Sequence, residues 1–89
     1  MNIHWIHHAN RLKFALVCIQ PNDVWVLSGD ALTQCLKDDA LFALANTLHP
    51  PICLAADCLN IETPSQWLHW SDAQLIDAIA QGSRGLIQW

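Results

Sequence analysis

Short apolar runs alternate along this chain with stretches that repeat every three to four positions. Asn2 to Ile6 reads as a first strand. A helix is predicted over Arg11 to Ile19, because Leu12, Ala15, Leu16 and Ile19 fall on one face at helical spacing. Pro21 and Asn22 end it, since proline lacks an amide proton and crowds the preceding turn. Val24 to Leu27 is apolar without alternation, which predicts a strand covered on both faces of a parallel sheet. Asp30 is placed to cap a helix over 31–37, and Asp38 to cap another over 39–48 with Leu41, Leu44, Ala45 and Leu48 on one face. His49-Pro50-Pro51 is a hard stop. Ile52 to Ala55 follows as a third strand, then a loop over 57–64, then a fourth strand from Gln66 to Trp70. Ser71-Asp72-Ala73-Gln74 has the spacing of a capping box and opens a helix over 72–81. Leu75, Ile76 and Ile79 are expected to face inward there, with Gly82 as the C-terminal cap. Leu86 to Trp89 is a possible fifth strand. This order predicts an α/β fold: a three-layer α/β/α sandwich around a mostly parallel sheet of four to five strands. It is read as a single domain over 1–89. The first crossover helix is short, so one sheet face is expected to be thinly covered.

Composition sharpens this picture. Apolar residues make up 53 % of the 89 residues and charged residues only 13 %, the reverse of a disordered chain. So little charge on so small a chain predicts a surface partly hidden by a partner. The net charge of −4 argues against a basic face that grips nucleic acid. No apolar run approaches the length of a membrane helix, and no signal peptide is visible at the start. A cytoplasmic chain is expected. Cys18, Cys35, Cys53 and Cys58 form no C-x-x-C pair and are read as free thiols.

Ligands of open parallel sheets gather beyond the carboxyl ends of the strands. His7-His8, Ser28-Gly29-Asp30, Ala56-Asp57-Cys58 and Ser71-Asp72 are the segments expected at that edge. Cys58 is the thiol placed there, with His7 and His8 as cations that would activate it. Cys18, late in the first helix, is the other candidate nucleophile. Cys35 and Cys53 read as core. A zinc site from His7, His8, His49, His69 and the cysteines has no recognised ligand spacing, so no metal and no cofactor are expected. Ser28-Gly29-Asp30 lacks the lysine and glycines of a phosphate-binding loop. There are five tryptophans. Trp5 and Trp25 are expected in the core. Trp67, Trp70 and Trp89 are the candidates for an interface, where tryptophan is enriched. Trp89 has packing within its own fold as the alternative.

Three stretches carry a family resemblance: Met1-Asn2-Ile3-His4-Trp5-Ile6-His7, Val24-Trp25-Val26-Leu27-Ser28-Gly29-Asp30-Ala31-Leu32, and Leu68-His69-Trp70-Ser71-Asp72-Ala73-Gln74-Leu75 through Leu86-Ile87-Gln88-Trp89. Together they resemble the DsrH/TusB family of the DsrE-like superfamily. In that family Gly and Asp of the turn usually stand in the opposite order to Gly29-Asp30. The resemblance implies a subunit of a sulfurtransferase relay. Such a subunit joins TusC-like and TusD-like chains in a hetero-hexamer that passes persulfide sulfur from a TusA-like donor to a TusE-like acceptor, for 2-thiolation of the tRNA wobble uridine. The relaying cysteine then belongs to the TusD-like chain. Sulfur-oxidising members carry a cysteine late in the first helix, and Cys18 matches it only roughly. A persulfide carrier using Cys18 or Cys58 and a small metal- or anion-binding module are the alternatives. Without partners, a homodimer is expected.

Overall fold

The computed structural model describes residues 2–81 and 85–89; the expected cap Gly82 lies outside them. Among the described residues, five strands, β1 (Asn2–Ile6), β2 (Val24–Leu27), β3 (Ile52–Leu54), β4 (Leu68–Trp70) and β5 (Gly85–Gln88), form one sheet in the order β4-β3-β2-β1-β5. Every neighbouring pair is parallel. Four helices connect them: α1 (Ala9–Cys18), α2 (Gly29–Lys37), α3 (Asp39–Asn46) and α4 (Asp72–Ala80). A short 3-10 turn, Ala55–Cys58, leaves β3. The α/β/α sandwich predicted from the alternation of elements is therefore what forms.

Strand residues alternate between two apolar layers, as the two-residue period requires. Ile6, Trp25, Leu27 and Cys53 face α1, α2 and α3, and meet Leu12, Leu16, Leu32, Cys35 and Ala45. Ile3, Val26, Ile52 and Leu54 face the other way, onto Leu75, Ala78 and Ile79 of α4. Three helices thus cover one face and one nine-residue helix covers the other. The thinly covered face is α4's, not that of the short first helix as expected. Trp5, Val24, Trp70 and Leu86 are only half-buried there.

Several element ends differ from expectation, each for a local reason. Helix α1 starts two residues early, because His8 already adopts the extended backbone of a cap. Helix α2 starts at Gly29, so Asp30 sits in its first turn and Ser28 takes the cap position. Strand β4 begins at Leu68, since Trp67 instead closes a turn with its amide on the Pro64 carbonyl. On α4 the inward face is Leu75, Ala78 and Ile79, an i, i+3, i+4 set, and Ile76 lies 63 % exposed. The Ser71–Gln74 capping box forms as read.

Candidate functional site

The chain steps β1 to β2 to β3 to β4 in one direction, and the connection through α4 then returns to place β5 on the far side of β1. The order of strands reverses at β1, which is where parallel sheets open a crevice beyond their carboxyl ends. A cleft of about 590 Å³ lies there, lined by Trp5, His7, His8, Arg11, Gln88 and Trp89. Backbone bonds fix its floor. The His7 and His8 amides donate to the Trp89 carbonyl, and the Trp89 amide donates to the Trp5 carbonyl.

Ser28 holds the cleft's side chains from behind. Its buried hydroxyl accepts from the Trp5 indole at 2.9 Å and lies 2.8 Å from His7 Nδ1. An indole only donates. The hydroxyl keeps one proton and one lone pair, so it donates to His7 Nδ1 or accepts from it according to the His7 tautomer. Ser28 is thus occupied and does not cap α2. The Gly29 amide is capped from a distance instead, by the Asp57 carboxylate at 3.0 Å. Gly29 itself has φ +56°, and a Cβ there would stand 2.5 Å from the His7 ring. Glycine is what lets the chain turn under His7 into α2.

A second polar chain runs beneath the cleft. The Trp89 indole donates to His4 Nδ1 at 3.1 Å, and His4 Nε2 lies 2.9 Å from Asp23 Oδ2. Since Nδ1 must accept, the ring proton sits on Nε2 and is donated to Asp23. Burial raises the Asp23 pKa, but the Asn2 and Gln20 amides and His4 outweigh it and hold the carboxyl at about 2.

The thiols lie elsewhere. Cys35 and Cys53 are fully buried, as read from the sequence. Burial, with Asp38 behind it, pushes Cys35 up to about 11, and burial with neighbouring Cys58 pushes Cys53 up to about 12. Cys58 is half-buried at the end of the 3-10 turn. Its thiol is also pushed up, by burial and then the Asp57 charge, against a lowering hydrogen bond from Cys53. The expected activation by His7 and His8 is absent: those rings face each other edge-on at 5.2 Å, and the groups acting on Cys58 are Cys53 and Asp57. Cys18 is exposed at the last position of α1.

Among the described residues, the group of three or more ligand side chains within reach of one another is Cys53, Cys58 and His69. His49 lies instead beside Ile19, Pro21, Thr47 and Leu48, its carbonyl accepting from the Trp25 indole. Among the candidate interface tryptophans, Trp67 lies inside the chain's own core at 4 % exposure, packed on Phe42. Trp70 and Trp89 are half-buried, and the Trp89 and His4 rings lie nearly parallel, at 16°, with centres 6.2 Å apart. Sequence reasoning placed His7, His8 and Ser28 at the right edge of the sheet. It missed Arg11, whose signal was its position in the first turn of the first crossover helix. The chain matches no protein-family model, and neither the curated proteins nor the solved structures contain a match to it.

Proposed function

We propose that this chain is a TusB-like, non-nucleophilic subunit of a sulfur-relay assembly that serves 2-thiolation of the tRNA wobble uridine. One observation carries the reading. Among the described residues, the cleft at the strand-order reversal is lined by two imidazoles, a guanidinium and indoles, and by no thiol. A chain with that cleft supplies positive charge and apolar walls to a sulfur carried by another subunit. A persulfide anion on a TusD-like partner's cysteine would meet Arg11, His7 and His8 there, where charge-assisted hydrogen bonds hold an anion best. The raised Cys58 thiol supports the same assignment, because the thiolate is the form that attacks a persulfide. So does the net charge of −4, which suits a subunit that does not hold the tRNA itself. Exposed Phe14, Val17, Leu68 and Ile76 give the chain apolar surface to bury against TusC-like and TusD-like neighbours.

Tagging the chain in its own cell and identifying what co-purifies is the test. Two DsrE-like chains in equal amounts support the reading. Recovery of the chain alone overturns it. Persulfide trapped on Cys18 or Cys58 of the purified protein would favour the carrier reading instead.

A second reading follows from Arg11. The guanidinium and two imidazoles gather where α1 begins, an arrangement that suits a small oxyanion without any partner. Titration with inorganic phosphate, followed by the imidazole proton resonances of His7 and His8, separates the two. Saturable shifts that vanish in Arg11→Ala support a free-standing anion module, and unchanged spectra dispose of it.

A further inference from the structure

Away from the cleft, on the edge formed by β3 and β4, three soft donors converge. Cys53 and His69 are register partners on adjacent parallel strands, so their side chains leave the same face of the sheet. The 3-10 turn after β3 folds Cys58 back over that face. One ligand atom from each residue, the two Sγ and an imidazole nitrogen, all lie within 4.8 Å of one another. The Thr63 hydroxyl lies 2.8 Å from His69 Nε2, so a metal held through Nδ1 would leave that contact in place. An outer contact of this kind is what orients a metal-binding imidazole.

We propose that Cys53, Cys58 and His69 form a binding site for one thiophilic divalent cation, zinc by chemistry, independent of the cleft and of the relay reading. Two thiolates and an imidazole are the donor set zinc prefers. Tetrahedral zinc with Zn–S near 2.3 Å and Zn–N near 2.0 Å sets donor–donor separations of about 3.5–3.8 Å. From separations of at most 4.8 Å, the three donors therefore close by no more than about 1.0–1.3 Å. Cys58 sits on a one-turn element and His69 is an exposed residue of an edge strand, so these two side chains are the ones with freedom to close on the buried Cys53. The protein provides three ligands, so the fourth position belongs to water. Both thiols are protonated without the metal. Binding forms two S–metal bonds and one N–metal bond and releases two protons to solvent, with no change in oxidation state.

The sequence hides this site because its ligands are spaced as C-x4-C and then eleven residues to His69, a pattern without a motif. Only the adjacency of β3 and β4 brings the histidine to the cysteines.

The experiment uses the full chain, reduced with a phosphine and stripped of metal, with Co²⁺ as the probe. One Co²⁺ per chain is expected, with thiolate-to-cobalt charge-transfer absorption and the strong visible bands of a tetrahedral centre, both bleached by Zn²⁺. Cys58→Ser and His69→Ala are each expected to weaken Co²⁺ binding by at least about tenfold. Cys18→Ser is expected to change nothing. His69 is exposed, so its replacement leaves the core intact even if a cysteine variant folds poorly. Absence of thiolate–cobalt absorption in the unaltered chain overturns the proposal. So does absorption that His69→Ala and Cys58→Ser both leave at full affinity.

Discussion

Asp23 is a buried carboxylate that the fold holds ionised. It accepts from two backbone amides and from His4, with its own carboxyl held at about 2 against an ordinary 3.8. The folded chain therefore keeps the carboxylate ionised where the unfolded chain takes up a proton, so stability rises with pH between these values. The contribution is fully present above about pH 4 and is lost as pH falls through about 2. Its size is roughly 2 kcal/mol. Urea unfolding at steps from pH 2 to pH 6 is expected to show this slope in the unaltered chain and to lose most of it in Asp23→Asn. An equal slope in both would mean that other carboxylates set the acid limit. The thiols make a second residue-scale prediction. Iodoacetamide is expected to modify exposed Cys18 first, and Cys35 and Cys53 only after unfolding, as their burial and raised pKa values require. Mass spectrometry of partially labelled protein reads the order. The core roles of Cys35 and Cys53 were legible in the sequence, because each lies within an apolar run or on a helix's inner face. The partners of Asp23 were not. His4 lies 19 positions away, and the indole that fixes its ring is 85 positions from it.

At the scale of the element, two helices show why some caps can be read and others cannot. Ser71 and Gln74 cap α4 through bonds spanning three residues, so the spacing alone reveals them. The Gly29 amide at the start of α2 is capped by Asp57, 28 positions on, because Ser28 is already committed to Trp5 and His7. No local pattern signals that arrangement, and Asp30 looked like the cap for want of it. Asp57→Ala is expected to destabilise the fold by about 1 kcal/mol, the usual worth of an N-terminal cap. Gly29→Ala is expected to cost more, since a left-handed backbone conformation alone costs about 1–2 kcal/mol for an L side chain. The new methyl would also push His7 off Ser28, given the 2.5 Å separation. Chemical unfolding measures both, and the His7 resonances report the displacement in Gly29→Ala. If Gly29→Ala proves neutral, the turn under the cleft is not as tight as the geometry requires.

At the scale of the molecule, the strands and helices were legible because each buries a local apolar pattern. Their order in the sheet was not, and both candidate sites depend on it. The cleft exists because β5 lies beside β1, and the sulfur–imidazole corner exists because β4 lies beside β3. The return of the chain through α4 also decides which face is thin, a property the length of the first helix did not foretell. What the whole fold leaves uncovered can be tested against the relay reading. Phe14 and Val17 are 64 % and 71 % exposed on the outer side of α1, one turn apart and clear of the core. Replacing Phe14 by Ser removes apolar surface without opening a cavity. The isolated chain is therefore expected to keep its stability within about 0.5 kcal/mol. If α1 is where the DsrE-like neighbours dock, the same change sharply reduces their recovery with the tagged chain. Ile76→Ser, on α4 across the sheet, is the comparison. Loss with Phe14→Ser alone assigns the three-helix face to the assembly, and loss with Ile76→Ser alone assigns the thin face. If neither change affects recovery, the apolar surface is not what binds the partners, and the argument from composition to assembly fails at that point.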